Sequence, residues 1–325
     1  MQKQSNITKR NLLILLLSAI GICAVYLLVN AHPENPKLFR YILSRRLPTL
    51  AVMLIAALAI GNSSVIFQSV ANNRIVTPSL LGMSSMYTLI HTAVVFLLGS
   101  GHPLVSNSNL SFLVDLLIMA LTATFVYSYL FRITGNNLLY VLLMGTVLSS
   151  FFGSLQSSMI RIMEPNEYDT LLTTLVADFN NVNAEVILIS LCLIAGLTLF
   201  LWKDLKLLDV ITLGKNQAIN LGIDYDRTIR NLLLGIVVCI CIATAMVGPL
   251  SFLGLIVANL SRQILKTYRH SYLITGSALI AVVATIGGQI LSQHVFHYTV
   301  PISTLVTICG GLYFLYLLLF KKGGI

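Results

Sequence analysis

Long apolar stretches separated by short polar segments make up most of this chain. A helix needs about 20 mainly apolar residues to cross the hydrocarbon core of a bilayer. Ten stretches fit this requirement, although the eighth is short. They lie near residues 11–29, 47–69, 81–99, 110–131, 138–161, 184–202, 229–248, 252–265, 271–291 and 301–320. The pattern predicts an all-α membrane protein of about ten transmembrane helices. It forms one domain, residues 1–325, because no repeat or linker divides the chain.

The basic residues predict how these helices are oriented. With the N-terminus in the cytoplasm, fifteen of the twenty lysines and arginines lie at cytoplasmic helix ends; the exceptions are Lys37, Arg40, Arg45, Arg46 and Arg161. Cytoplasmic loops of membrane proteins carry such an excess. The first apolar run, of about 18 residues, is too long for the usual core of a signal peptide, so it is read as an uncleaved helix. We expect a multi-pass protein of the bacterial cytoplasmic (inner) membrane with both termini in the cytoplasm.

Composition excludes several other classes of protein. Hydrophobic residues make up 57% and charged residues 10% of the chain, whereas a soluble domain has about 25% charged residues. The formal net charge of +9 follows from the basic cytoplasmic loops and predicts no nucleic-acid partner. The five cysteines lie in apolar stretches without a C-x-x-C pair, and His294 and His297 have no third ligand nearby in sequence. We therefore predict no disulfide framework and no metal site.

Polar residues inside the apolar stretches mark a candidate substrate pathway. Such residues are costly in hydrocarbon unless they face another helix or water. The candidates are Gln68 in the second stretch, Thr146, Ser149 and Ser150 in the fifth, and Asn259 in the short eighth. Ordinary hydrogen bonding between packed helices explains them equally well. His91 is read as a hydrogen-bonded core residue, and Asp115 is the only acid near the interior of a span.

The longest predicted cytoplasmic loop, about residues 203–228, contains a short amphipathic helix between Leu213 and Gly222. Its leucine and isoleucine positions form one apolar stripe, and Gly222 is suited to end the helix. Such a helix docks in a groove of a partner protein or lies on the membrane. A solvated amphipathic loop is the simplest alternative.

Motifs for catalysis are missing from the sequence. It has no phosphate loop of the form G-x-x-x-x-G-K-[ST], no G-x-S-x-G elbow, no H-E-x-x-H motif and no paired carboxylates within one span. We therefore predict no catalytic residues. Two other classes stay open. One is a stand-alone carrier or channel, although a proton-coupled carrier usually has ionisable groups at mid-membrane. The other is an intramembrane enzyme that acts on lipid.

Several short motifs are spread along the chain from about residue 40 to the C-terminus. They are Arg46-Leu47-Pro48, Gly61 with Phe67-Gln68, Asn73-Arg74 with Thr77-Pro78 and Gly82, Leu213-Gly214 with Ala218 and Leu221-Gly222, and Gly248 with Phe252-Leu253-Gly254-Leu255-Ile256-Val257. In combination they resemble the permease subunits of ABC importers for ferric siderophores, haem and vitamin B12. Each motif alone is weak, whereas the set is specific.

The resemblance implies the vitamin B12 importer permease fold of type II ABC importers: ten helices, with two permease subunits side by side and a path between them. It also implies two copies of an ATPase subunit, which bind ATP and magnesium, and an extracytoplasmic substrate-binding protein. No cofactor is expected on this chain itself. The loop helix would be the surface on which the ATPase acts. Its expected coupling residues are Leu213, Gly214, Asn216, Gln217, Ala218, Leu221 and Gly222.

In this family, arginines on the outer side dock the binding protein, and Arg46 matches one such position. Thr49 and Gln289 stand where many members have further arginines, so Arg45 is the expected substitute. Residues 257–259 read Val-Ala-Asn in place of the common Val-Pro-His. This resembles the branch for catecholate or mixed siderophores such as petrobactin and anguibactin, whose permeases usually pair with a different permease chain. The resemblance thus implies a ferric siderophore as substrate, with haem or a cobalamin-like chelate as the alternative.

Overall fold

A computed structural model describes residues 2–31, 34–135, 137–176, 179 and 184–320. Within these ranges the chain forms α-helices, one 3-10 helix (Pro78–Leu81) and no strand. The α-helices are α1 (Gln2–Leu28), α2 (Pro36–Val70), α3 (Met83–Leu98), α4 (Pro103–Ser106), α5 (Ser108–Ile133), α6 (Leu138–Ile162), α7 (Pro165–Leu175), α8 (Ala184–Phe200), α9 (Trp202–Lys206), α10 (Leu208–Ile211), α11 (Lys215–Asn220), α12 (Tyr225–Val247), α13 (Leu253–Leu265), α14 (His270–His294) and α15 (Ile302–Phe320).

The ten predicted spans all appear as helices. Six of them, α1, α2, α5, α6, α12 and α14, are long and apolar enough to cross a bilayer. Four shorter apolar helices, α3, α8, α13 and α15, complete the set of ten within the described ranges. The predicted all-α architecture is therefore confirmed. We name the outer and cytoplasmic sides of the bundle by the predicted orientation.

Helix α2 begins at Pro36, well before the predicted start at residue 47. Asn35 caps this helix, because its side chain accepts a hydrogen bond from the Leu38 amide at 3.3 Å, and Pro36 occupies the first turn. Lys37, Arg40, Arg45 and Arg46 interrupt the apolar pattern in this stretch, so the pattern did not show that the helix starts earlier. We call residues 36–47 the outer arm of α2.

Helix α2 forms the centre of the bundle and packs against α8, α12, α13 and α14. In its most apolar window 78% of residues are buried, against 11% in the windows of α1 and α6. Small residues bring α2 and α14 together. The Ser277 hydroxyl donates to the Gly61 carbonyl at 2.9 Å, and a Cβ atom on Gly61 would lie 3.0 Å from the Ser277 carbonyl oxygen. The core is therefore built around α2, and α1 and α6 lie at its periphery.

Two connections lie inside the bundle: the segment between α2 and α3, and residues 248–252 between α12 and α13. After α2 the chain turns and re-enters as the 3-10 helix, where the Ser79 hydroxyl donates to the Ser251 carbonyl at 2.9 Å. The Tyr127 hydroxyl of α5 donates to the Leu81 carbonyl. Helix α13, of 13 residues, spans only about 20 Å. The predicted short eighth span is thus confirmed, and irregular backbone is tolerated here because protein surrounds it.

Candidate functional site

The segment between α8 and α12 forms three short helices on the cytoplasmic side, α9, α10 and α11. The predicted loop helix is present as α11. It ends at Asn220, Gly222 follows with a positive φ of 81°, and the Ile223 amide donates to the Ala218 carbonyl at 3.1 Å. Glycine adopts this backbone conformation without the steric cost of a Cβ atom.

The faces of α11 differ in exposure. Ala218 is fully buried, whereas Asn216, Gln217, Leu213 and Leu221 are exposed, the two leucines by 53% and 63%. We call Leu213, Asn216, Gln217 and Leu221 the coupling surface. Exposed leucines flanking polar amides at the cytoplasmic end suit a partner groove. The sequence predicted a short helix here, and the role of the coupling surface stays a prediction.

Hydrogen bonds fix this segment to the helix bundle. The Asp209 carboxylate accepts from the His270 backbone amide at 2.9 Å and from its Nδ1 at 2.5 Å. Asn231 of α12 donates to Asp204 at 3.1 Å. These bonds join α9 to α12 and α10 to the start of α14.

Two of the predicted pathway residues hold the chain after α2. Gln68 and Asn259 are buried, and both side-chain amides donate to the Arg74 carbonyl at 2.9 Å. Asn259 also donates to the Leu255 carbonyl at 3.0 Å. These bonds attach the turn after α2 to α13. A transport role for the two residues stays a prediction, since within this chain their amides serve to position backbone.

The remaining pathway candidates lie on α6. Ser149 faces the bundle, where its hydroxyl and that of Ser85 on α3 lie 2.7 Å apart. Thr146 and Ser150 point away from the bundle and are exposed. The structure therefore gives these three residues different surroundings. Ser149 packs between helices, whereas Thr146 and Ser150 lie on the exposed face of α6.

Between residues 146 and 157 the exposed polar residues of α6 lie along one line, because successive residues turn by about 100° around a helix. The α6 polar strip consists of Thr146, Ser150, Ser154 and Ser157. The α6 apolar strip beside it consists of Met144, Val147, Phe151 and Leu155. Lipid suits the second strip. The first has hydroxyls that bond back to the helix and keep accepting capacity for water or a partner.

The two predicted docking arginines lie in different surroundings. Arg46 is half-buried, and its Nη1 donates to the carbonyls of Tyr26, Leu27 and Val29 at 3.0, 3.1 and 2.5 Å. It therefore caps the end of α1. Arg45 is exposed, and its guanidinium lies 5.9 Å from the centre of the Tyr41 ring. Docking remains a prediction for both residues, and Arg45 is the better placed.

A cavity of ≈ 590 Å³ on the outer side contains a buried polar cluster that sequence reasoning did not assemble. His91 Nδ1 lies 2.7 Å from the Asp115 carboxylate, and His91 Nε2 lies 2.9 Å from the Thr174 hydroxyl of α7. The expected hydrogen-bonded role of His91 is confirmed. The signal for the pair was one ionisable residue in each of two apolar spans, but the sequence does not show which spans touch. The cluster ties α7 to α3 and α5.

Comparison with known proteins places this arrangement in a family context. A model described as the FecCD transport family matches residues 11–320. The petrobactin import system permease protein YclO of Bacillus subtilis (strain 168) is 40% identical over 279 residues, which are 86% of this chain and 89% of that protein. The petrobactin import system permease protein FatC of Bacillus anthracis is 32% identical over 314 residues, 96% of this chain and 89% of that protein.

A solved structure of similar shape supports the fold. It is an inward-facing conformation of a metal-chelate type ABC transporter, with a TM-score of 0.78 and 21% sequence identity. The match covers 97% of this chain and 100% of that chain. At this identity the likeness concerns the fold alone.

Proposed function

Since this chain belongs to the FecCD transport family, as the match over residues 11–320 shows, we propose that it imports a ferric siderophore of the petrobactin class into the bacterial cytoplasm. It is an integral multi-pass permease subunit of an ABC importer. The observation that carries the substrate assignment is 40% identity, over 86% of the chain, to a petrobactin import permease. The residues 257–259, Val-Ala-Asn, agree with that branch.

Energy for transport comes from a separate ATPase subunit, present in two copies. The sequence contains no phosphate loop, so ATP and magnesium would bind to the partner. The coupling surface supports this division, because it combines exposed leucines with hydrogen bonds that lead into α12 and α14. Closure of the ATPase pair would push α9–α11 and rock the permease between outward-open and inward-open states.

The substrate passes along a seam between this chain and a second permease subunit, expected to be a different chain. The α6 polar strip supports this proposal, because hydroxyl groups facing away from the bundle favour water or a partner over lipid. A neutral polar wall also suits a bulky hydrophilic chelate that is released without covalent chemistry. On the outer side an extracytoplasmic binding protein delivers the chelate near Arg45, and both termini lie in the cytoplasm.

Uptake of radioactive iron tests the substrate. A strain lacking this gene should lose uptake of ferric petrobactin-type siderophores and keep uptake of unrelated iron chelates. A plasmid copy of the gene should restore the lost uptake. Unchanged uptake of every ferric siderophore in the deletion strain would contradict the assignment.

A variant of the coupling surface tests the ATPase partnership. Leu213→Asp with Leu221→Asp should abolish co-purification of the ATPase and iron uptake, because two charges replace exposed apolar contacts. The matched control is Thr299→Asp on the exposed outer side, which should leave both unchanged. Retention of the ATPase by the double variant would remove the coupling role from α11.

A further inference from the structure

The cytoplasmic end of the bundle contains a large cavity next to Gln68. It has a volume of ≈ 850 Å³ and lies between the end of α2, the turn at 71–75 and the loop at 266–269. A second cavity of ≈ 440 Å³ adjoins it and shares three of its lining residues, Arg74, Arg262 and Lys266. We call these two volumes together the exit cavity. Binding sites for small molecules are usually of about 300–1,000 Å³.

The exit cavity has positive charge without a matching carboxylate. Arg74, Arg262 and Lys266 line both parts, and no Asp or Glu is among the described residues that line either one. The close contacts between basic side chains and carboxylates in the described ranges are His91–Asp115, Lys215–Asp226 and His270–Asp209, so none includes these three cations. Adjacent cations repel each other, and an anion between them would relieve that repulsion.

Unsatisfied polar atoms provide an independent sign of a ligand. Gln68 is 1% exposed and its Oε1 has no hydrogen-bond partner, and His270 is 5% exposed with Nε2 unpartnered; both line the cavity. Arg262 donates from Nη2 to the Ser69 hydroxyl at 3.0 Å, while its buried Nε lacks a partner. Buried polar groups in folded proteins are nearly always paired, so these three atoms have hydrogen-bonding capacity left for a ligand.

The hydrogen-bonding character of these atoms defines the ligand. Arg262 Nε can only donate. Gln68 Oε1 accepts, and the neutral His270 ring also accepts at Nε2, because its Nδ1 donates to Asp209. The complementary molecule therefore carries oxyanions together with N–H or O–H groups. An iron chelate with catecholate or carboxylate oxygens and amide groups has this combination.

From this geometry we infer that the exit cavity is a binding site for an anionic iron chelate on the cytoplasmic side of the path. The oxyanions lie against Arg74, Arg262 and Lys266, and the ligand's N–H or O–H groups lie against Gln68 Oε1 and His270 Nε2. The inference rests on the proposed function and adds to it that the cargo is negatively charged. An anionic phospholipid headgroup offers the same oxyanion chemistry, so the test separates the two sources.

The test measures binding to the intact importer complex in nanodiscs of neutral phosphatidylcholine. The probes are a ferric tris-catecholate, which is an anion, and a neutral ferric tris-hydroxamate, both labelled with radioactive iron. Arg74→Gln and Lys266→Gln change exposed side chains and spare the fold, and Arg262→Gln changes the half-buried cation. The charge-matched control is Arg230→Gln, an exposed cation outside the cavity lining.

Each cavity variant should weaken binding of the tris-catecholate by about tenfold and leave the tris-hydroxamate unaffected, since one charge-assisted contact is lost. Arg230→Gln should bind both probes as the wild type does. The inference is overturned by unchanged tris-catecholate affinity or by equal weakening for both probes. Loss of ATPase subunits from the variants would also overturn it, because the cations would then belong to the subunit interface.

A second arm adds phosphatidylglycerol to the nanodiscs. Wild-type affinity for the tris-catecholate should remain within about twofold if the chelate, and not a lipid headgroup, is the ligand of the cavity. Complete displacement of the chelate by this lipid, with lipid retention lost in Arg262→Gln, would assign the cavity to the membrane and overturn the inference. The uptake experiment stays independent: normal chelate binding by all three variants refutes only the exit site, whereas siderophore uptake that survives gene deletion refutes the proposed substrate.

Discussion

Single polar residues within apolar helices have three different roles in this structure. Gln68 and Asn259 hold the Arg74 carbonyl, Ser149 pairs with Ser85 on a neighbouring helix, and Ser150 faces outwards. The sequence identified these positions as unusual, because each interrupts an apolar run. It could not distinguish the roles, because each role depends on which helix lies opposite, and that is decided by tertiary packing.

Close packing at Gly61 gives a prediction at this scale. Gly61→Ala should lower the stability of the protein in detergent by about 1–3 kcal/mol, because the added Cβ would meet backbone atoms of α14 at 3.0 Å. Thermal unfolding followed by a thiol-reactive or intrinsic fluorophore measures the change.

The control for that variant is Gly153→Ala on α6, where a Cβ atom would meet nothing within 4 Å. Both glycines are helical, so both replacements gain the same helix propensity, about 1 kcal/mol. Gly153→Ala should therefore be neutral or slightly stabilising. Equal melting temperatures for the two variants would show that α2 and α14 can separate without cost.

At the scale of elements, the sequence predicted which helices exist better than where they end. The start of α2 was missed because Lys37, Arg40, Arg45 and Arg46 interrupt the apolar pattern, although Asn35 and Pro36 form a regular helix start. The breaks before α3 and α13 were visible, since Pro78, Gly82 and Gly248 mark them. The short helix α7 was not predicted, because 11 residues outside the membrane have no apolar run to reveal them.

The buried link between α7 and the bundle gives a prediction about this element. Asp115→Ala should destabilise the protein by about 1–3 kcal/mol, because it leaves the buried His91 Nδ1 without its hydrogen-bond partner. Without Asp115 the His91 ring is no longer held in place, so its hydrogen bond to Thr174 of α7 should weaken. Amide hydrogen exchange in α7 should therefore accelerate, and mass spectrometry of its peptides measures this.

The exposed pair Lys215–Asp226 serves as the comparison. Both of its side chains are about half exposed, so Asp226→Ala should cost at most about 1 kcal/mol and leave α7 unchanged. If the Asp115 variant exchanges in α7 at the wild-type rate, the Glu167 carboxylate, which accepts from the Ser100 amide at 2.5 Å, holds α7 by itself.

For the whole molecule, both the ten-helix fold and the family were predicted correctly from the sequence. Six apolar helices of membrane length and four shorter ones make up the ten in the described residues, and the combined motifs indicated the family. The sorting of lysine and arginine remains the sole argument for the orientation. What the sequence could not provide is the surface between chains: the line of exposed polar residues on α6 became visible only when its buried face was known.

Cysteine labelling tests this surface. In a background without Cys192 and Cys309, the two exposed cysteines, Ser150→Cys should react with a water-soluble maleimide about tenfold faster than Phe151→Cys. A thiol ionises and reacts in water but remains protonated in lipid. Ferric siderophore should slow the first reaction and leave the second unchanged. Similar rates at both positions would place the α6 polar strip in lipid and contradict a seam there.

Pro48 has a mechanical consequence for the central helix. Lacking an amide hydrogen, it removes one rung from the ladder of α2 just after the outer arm, which includes Arg45. If the binding protein docks on Arg45, as proposed, we expect α2 to bend at Pro48 before its buried part tilts. The proposed docking at Arg45 would then bend the outer arm and leave the buried part of α2 in place.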